Sequence, residues 1–330
     1  MSASTQRGMD DLATAALHRF GLAADAAAQL CNVSENHTYR VDVPSTGRRY
    51  ALRIHRSGYR TAAQIACELR WVAALRSDGT VDTAVPVPAP GGELVVEVTS
   101  PGLGTRHVVL FEWLDGSTPD PEGHEFIDAF YTLGAVSARM HAHARRWPRG
   151  SGFDRPTWDF EHTLGSAGHW GRWQDGLGLG RDERALLERL CAVIAARLRV
   201  YGQGKDRFGL VHADMRLANL LVDGDHVQVI DFDDCGFSWF MYDFATAVSF
   251  IEDDPRLNEM RDAWVEGYRT VGALEKADVD ELDTLVMLRR LLLVAWVGSH
   301  HTFASEAADL GADFTAGTCT LAERYLSTHV

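Results

Sequence analysis

Apolar and polar residues alternate in two short runs near the start of the chain, Thr38–Val43 and Tyr50–His55, with Pro44-Ser-Thr-Gly-Arg48 between them. Period-two alternation around turn chemistry predicts a β-hairpin. Leu94–Val98 reads as a further strand, and the apolar run His107–Trp113 as a buried one, broken by Leu114-Asp-Gly-Ser-Thr-Pro119. Between them, Ala62–Arg76 carries Ile65, Leu69, Val72 and Leu75 at helical spacing, and Val85-Pro-Val-Pro-Ala-Pro90 reads as a loop. Leu12–Leu30, rich in Ala and Leu, predicts a helix ahead of the hairpin.

Past residue 119 the period lengthens. Glu125–His143 places Phe126, Phe130, Leu133, Val136 and Met140 on one stripe, and Arg184–Val200 and Leu282–Trp296 are also helical. Trp147–Gly180 is irregular, and Phe208–Asp234 combines a short apolar run, a polar turn and two brief strands about Asp223-Gly-Asp225. The pattern predicts an α+β protein with a mixed first third and a mostly helical remainder. The boundary near Leu114–Pro119 separates residues 1–113 from 114–330.

Composition narrows the function classes. The 330 residues carry 32 Lys and Arg against 46 Asp and Glu, a formal net charge of −14. Nucleic-acid binding relies on a basic footprint, so no nucleic-acid partner is expected. Five scattered cysteines without a CxxC pair argue against a disulfide framework or a structural zinc site. The start of the chain has no apolar signal core and no run approaches the length of a membrane span, so a cytoplasmic protein without a membrane partner is expected.

The chemistry is concentrated in Leu210–Val222 and Val229–Asp234. His212, Asp214 and Asn219 spell H-x-D-x-x-x-x-N, and Asp231 follows twelve residues after Asn219 at the end of an apolar strand. Phosphoryl transfer depends on positioning and on neutralising charge. It needs a carboxylate that accepts or orients the acceptor hydroxyl, and an amide oxygen with a second carboxylate to hold magnesium, an ion that prefers hard oxygen ligands.

On these residues the chain resembles the aminoglycoside phosphotransferase, choline kinase and homoserine kinase-like superfamily, relatives of the protein kinases. The resemblance spans roughly residues 33–292. It implies a two-lobed protein kinase-like fold, with an N-lobe of antiparallel sheet and helices, a mostly helical C-lobe and the nucleotide in the cleft between. It implies ATP and Mg2+ as cofactors and a small-molecule hydroxyl as acceptor: an amino alcohol, a homoserine-like amino acid or an aminosugar. Asp214 becomes the catalytic base, Asn219 and Asp231 the metal ligands, and His212 a brace for the loop. Arg216 stands where protein kinases often place a Lys that neutralises the moving phosphoryl group.

In the N-terminal third, Asn32-Val-Ser-Glu-Asn-His-Thr-Tyr39 lies where kinases cover the phosphates. It has no glycine and resembles the S-E-N-x-T-Y variant of the homoserine kinase-like branch, which makes Ser34, Asn36 and Thr38 phosphate donors. Arg53 replaces the strand Lys that usually grips the nucleotide, an exchange that is not conservative, with Glu68 as its orienting partner. Glu112, Trp113 and Leu114 fall at the hinge, where backbone groups would meet the adenine edge. Asp233, Asp234 and Trp239 are candidates for the acceptor side, and Asp243 for an anchor of the catalytic loop.

Other features admit two readings. Trp147, Trp158, Trp170 and Trp173 either pack an insertion or offer aromatic faces to an amine, and Glu252-Asp-Asp254 either draws a cation or caps a solvated helix end. His141, His143, His300 and His301 lack the partners of a zinc site, and G-x-S-x-G is absent. The same layout serves a protein Ser/Thr kinase of the stress-response type, and Arg53 with the glycine-free loop also suits a nucleotide-binding pseudokinase. The acceptor itself is not written in any motif.

Overall fold

The computed structural model describes residues 3–33, 36–224 and 226–329. It opens on helix α1 (Ala3–Arg19), followed by strands β1 (Ala27–Val33), β2 (His37–Val43) and β3 (Arg48–Ile54) and helix α2 (Ala62–Ser77). Strands β4 (Asp82–Thr83), β5 (Pro86–Val87), β6 (Val96–Ser100) and β7 (Gly104–Glu112) complete the first part. The sheet runs β1-β2-β3-β7-β5, with β6 also on β7, and every pairing in it is antiparallel.

The alternation seen in the sequence decides which face of this sheet does what. Tyr50, Leu52 and Ile54 join Tyr39, Val41, Val108 and Leu110 in one buried cluster, closed by Met9, Leu12, Ala16 and Phe20 from α1. Ala51 and Arg53 point the opposite way, into the cleft. Helix α2 covers that second face with Ile65 and Leu69 against Val109. Its start is fixed by a reciprocal cap: Thr61 Oγ1 accepts from Gln64 N at 3.2 Å, and Gln64 Oε1 accepts from Thr61 N at 3.2 Å. Trp71, Val72 and Leu75 on its other side belong to the core of the second lobe, so α2 joins the two.

Two local expectations fail. The helix predicted over Leu12–Leu30 ends at Arg19, and Ala27–Leu30 form part of strand β1. Gly21, at φ 66°, reverses the chain, with Leu22 N donating to Leu17 O and Gly21 N to His18 O. This left-handed terminus stops a run of residues whose propensities alone would continue it. Within the expected loop Val85–Pro90, Pro86 and Val87 pair with Phe111 and Leu110 as a two-residue edge strand, a position that tolerates proline.

The second lobe is helical: α3 (Phe126–Arg146), α4 (Phe160–Thr163), α5 (Arg181–Tyr201), α6 (Tyr242–Ala247), α7 (Leu257–Arg269), α8 (Lys276–Asp280), α9 (Leu282–His300) and α10 (Ser305–His329, broken at Gly311). Strands β8 (Phe208–Val211), β9 (Leu220–Asp223), β10 (His226–Val229) and β11 (Gly236–Trp239) are interspersed among these helices. β10 pairs with β9 and, in parallel, with β4 of the first lobe, while β11 pairs with β8. Helix α9 is buried on nearly every side and forms the axis of this lobe. Among the described residues no helix is long and apolar enough to cross a membrane.

Candidate active site

The predicted catalytic loop leaves β8 at Val211 and is held mainly by one buried acid. Asp243, at the start of α6 and fully buried, accepts from Ala213 N (2.8 Å), His212 N (3.3 Å) and His141 Nε2 (2.9 Å). Tyr268, whose hydroxyl burial keeps protonated by pushing its pKa up to about 12, donates to His141 Nδ1 at 3.1 Å. Ala213 is thereby fixed at φ 65°, a left-handed conformation that costs a residue with a Cβ about 1–2 kcal/mol. His212 braces the turn from within: its Nδ1 accepts from Asp214 N (3.2 Å), so its Nε2 carries the proton and donates to Ile230 O (3.1 Å). Burial lowers the pKa of both His141 and His212, which keeps them neutral.

This backbone presents Asp214 with both carboxylate oxygens engaged. Oδ2 accepts from Asn219 Nδ2 at 2.8 Å, and Oδ1 accepts from Arg289 Nη2 at 3.1 Å with Arg216 Nε 3.6 Å away. Burial pushes the Asp214 carboxyl upward, but Arg216 and Arg289 outweigh it and hold the group below the ordinary carboxylate range. Arg216 is also paired to Glu306 of α10 at 3.0 Å.

Asp231 sits at φ 60°, ψ 65° just after β10, and the neighbouring Ile230 N donates to Asn219 O (2.9 Å), tying the two segments together. Partial desolvation at the cleft, with 47% of the side chain still exposed, is reinforced by Asp233, Asp214 and Asp234 against the opposing Arg53 and pushes the Asp231 carboxyl up to about 7. The end of the cleft is short of positive charge. The donor set meets that deficit with hard oxygens. Asn219 spends its amide nitrogen on Asp214, which leaves its Oδ1 for a cation beside the Asp231 carboxylate. Among the described residues no three His, Cys, Asp or Glu side chains form a metal cage. A magnesium site completed by nucleotide phosphates and waters does not require one. The residues fit such an ion.

Across the cleft, Arg53 is buried and bonded to Glu68 Oε1 at 2.5 Å, with Asp231 at 3.4 Å. Burial works against its charge, but Glu68, Asp233 and Asp231 more than compensate, and the guanidinium stays protonated. Thr38 stands opposite Arg53 in the β2–β3 register. Asn36 donates to Asp233 Oδ2 (2.9 Å) and accepts from Arg56 N (3.2 Å), so its side chain clamps the phosphate-side loop to the turn after Asp231. Ser34 lies outside the described residues.

At the hinge, Glu112 N donates to Val85 O (2.8 Å) and Trp113 N to Arg49 O (3.2 Å). Their amides are spent, and Leu114 N makes no backbone hydrogen bond among the described residues. Thr38, Arg53, Glu112 to Leu114, Asp214, Asn219 and Asp231 all line one cleft of about 450 Å³. A second cavity, about 380 Å³ around Tyr201 and Phe240, contains none of the predicted site residues.

Asp234 lines the cleft with Oδ1 accepting from Tyr59 (2.7 Å) and Arg60 (2.7 Å), and burial with the nearby Asp233 pushes it up to about 6 despite Arg60. Trp239 must be corrected. It is buried, donates Nε1–H to Gly202 O (2.8 Å) and packs on Phe208, because β11 turns back along β8 and carries it away from the cleft. Of the four tryptophans in the irregular stretch only Trp170 reaches the cleft, where the Arg289 guanidinium lies 5.0 Å over its ring. Glu252 is a buried ion pair with Arg290 (2.6 Å) rather than a lure for cations.

Sequence reading missed Arg289 and Glu306. The signal for the first was present: two arginines interrupt the apolar run of α9, and arginine in a buried helix demands a partner.

Asp214, Asn219 and Asp231 thus share one cleft with the Arg53–Glu68 pair. The model of the Phosphotransferase enzyme family matches residues 29–279, about three quarters of the protein. The chain belongs to this family. The solved structure of a microcompartment-associated aminopropanol kinase is 48% identical, with a TM-score of 0.89 over 97% of this chain and 98% of that one. Amicoumacin kinase of Bacillus subtilis (strain 168) is 25% identical over 285 residues, 83% of this chain and 80% of its own length. The amicoumacin kinase hAmiN, solved in complex with AMP-PNP, Ca2+ and Ami, shares the fold with a TM-score of 0.77 at 20% identity, covering 97% and 96% of the two chains. The protein is therefore a kinase with the two-part α+β fold of this family. Arg289 and Glu306 lie beyond residue 279, where the family match ends.

Proposed function

We propose that this kinase transfers the γ-phosphoryl group of ATP, with Mg2+, to the hydroxyl of a small amino alcohol of the aminopropanol type. The observation that carries the substrate class is the 48% identity, sustained over nearly the whole of both chains, to an aminopropanol kinase. Residues 1–113 serve as the nucleotide-binding lobe and 114–330 as the catalytic and acceptor lobe.

In this reading the acceptor hydroxyl approaches Asp214, whose carboxylate orients it and takes its proton as the new O–P bond forms. The bond from the γ-phosphorus to the bridging oxygen breaks at the same time, and ADP leaves with the electron pair. Asn219 Oδ1 and Asp231 hold the magnesium, which supplies charge neutralisation on the phosphates when bound. Arg53, kept rigid by Glu68, and Thr38 face the phosphates, and the Leu114 amide faces the adenine edge. Arg216 meets the transferring group once it parts from Glu306, and Asp234 is the carboxylate offered to the acceptor's ammonium.

The test is magnesium-dependent ADP release from ATP across amino alcohols, homoserine-like amino acids, aminoglycosides and a generic protein. Turnover dependent on an amino alcohol supports the proposal. Turnover with a different class alone, the protein included, refutes its substrate.

A further inference from the structure

Helix α9 is an apolar rod with two arginines buried at its centre. Arg290 has a structural account: it pairs with buried Glu252 and bonds Thr318 Oγ1 (2.9 Å) and Phe314 O (3.2 Å). Arg289 is different, because its partner is the carboxylate that the reaction uses. Its Nε donates to Ser249 Oγ (3.1 Å), Nη1 to the Tyr242 hydroxyl (3.4 Å) and Nη2 to Asp214 Oδ1 (3.1 Å). Its guanidinium lies 5.0 Å over Trp170, and only 3% of the residue is exposed. All three nitrogens are committed and the plane is fixed by a ring, so the guanidinium has no freedom to follow a mobile partner.

Asp214 is gripped from the opposite side by Asn219, which bonds both its Oδ2 and its main-chain oxygen at 2.8 Å. A carboxylate pinned at each oxygen has one orientation left. We infer that Arg289 is a positioning residue for the transfer step, fixing the plane of the Asp214 carboxylate and so the direction from which an acceptor hydroxyl meets it. The inference rests on the role proposed above for Asp214. The support runs through α6 and the segment after it: Tyr242 and Ser249 hold Arg289, while Asp243 between them holds the backbone of the loop. One short stretch thus sets both the position of Asp214 and its orientation. Arg289 falls outside residues 29–279, whereas its partners Asp214, Tyr242 and Ser249 fall within them.

The experiment uses the full chain, ATP, Mg2+ and the acceptor found in the panel, with water-directed ATP hydrolysis as an acceptor-independent readout. Arg289→Ala, Arg289→Lys and Asp214→Asn are compared with the wild type. Misplacing a reacting group by about 1 Å costs about 10²-fold. Arg289→Ala should therefore lose about 10²-fold in kcat with its KM for ATP unchanged, and added guanidinium should restore about tenfold of that loss. Arg289→Lys should melt like the wild type and still lose about tenfold in kcat, since one ammonium nitrogen cannot span the three acceptors that the guanidinium reaches from three separate nitrogens. If Arg289→Ala does not fold, the lysine variant decides alone. Wild-type kcat in a folded Arg289→Lys overturns the positioning role, as does a raised KM for ATP at unchanged kcat. Retained turnover in Asp214→Asn overturns the role of Asp214 and this inference with it, whereas an inactive Asp214→Asn beside fully active Arg289 variants overturns this inference alone.

Discussion

Replacing Asp243 should damage fold and catalysis together, and the structure gives the size of the effect. Three donors converge on this fully buried carboxylate, two of them backbone amides of the catalytic loop and the third the ring of His141. Asp243→Ala strands all three. A buried donor left without a partner costs about 1–3 kcal/mol, so the loss sums to roughly 3–9 kcal/mol. Folded domains have about 5–15 kcal/mol in total, so the alanine variant sits near or beyond the point of unfolding. Asp243→Asn is the more informative change. It keeps the volume but turns one accepting oxygen into a donor that faces another donor, an expected cost of about 1–3 kcal/mol. Ala213 then loses part of what holds it at φ 65°, and Asp214 follows it. Urea unfolding followed by circular dichroism measures the first effect, and kcat for ADP release measures the second, expected to fall about 10²-fold. An Asp243→Asn protein with the wild-type unfolding midpoint and wild-type kcat would refute this account of the loop.

Further expectations follow from the packing around the site. Arg53→Met should destabilise the protein by about 3–5 kcal/mol, because it leaves Glu68 buried without its partner, and Arg53→Lys should recover most of that loss. Thermal melts separate the two, and the methionine variant should also raise the KM for ATP. Gly134 of α3 packs directly on the backbone of α7 at Trp264 and Tyr268, and Gly267 of α7 on that of α3 at Tyr131. Gly134→Ala should cost roughly 1–3 kcal/mol by prying the helices apart, more than the gain of up to about 1 kcal/mol in helix propensity. A raised melting temperature would contradict that close approach. His141 and His212 are held neutral by burial, so the unfolded chain binds protons that the folded one does not. Their stabilisation is complete above the ordinary histidine pKa and is lost as pH falls through it, at up to about 1.4 kcal/mol per pH unit for each. Asp231 and Asp234, raised to about 7 and about 6, take up protons in the folded state over the same range and offset this loss in the global stability. The check is therefore the NMR titration of the two imidazoles: rings that protonate at the ordinary histidine value in the folded protein would rule out neutral burial.

Much of this arrangement was readable in the order of residues. H-x-D-x-x-x-x-N and the strand ending in Asp231 fix local spacing, and the fold keeps that spacing because β9 and β10 form a hairpin between them. The alternation in Tyr50–His55 placed Arg53 on the side opposite Leu52 and Ile54, which is where it meets the cleft. What stayed hidden depends on contacts between distant segments. Trp239 stands in the sequence as a candidate for the acceptor side, yet the reversal of β11 onto β8 moves it into the core. Asn36 looked like a phosphate donor, yet its amide goes to Asp233, 197 residues further on. Helix propensity carried the predicted first helix through Ala27 and Ala28, where pairing with β2 prevails. Arg289 and Glu306 belong to no local motif and reach Asp214 and Arg216 only because α9 and α10 close the second lobe behind the catalytic loop.

The central claim is phosphoryl transfer that depends on Asp214 and on a divalent cation held beside Asn219 and Asp231. The most direct measurement is ADP release by wild type and Asp214→Asn with aminopropanol, with and without Mg2+. The account predicts acceptor-stimulated release by the wild type that stops on chelation of the metal. In Asp214→Asn it should fall by about 10²-fold or more while the variant melts like the wild type. Equal release by the two proteins, or release indifferent to the metal, would contradict it.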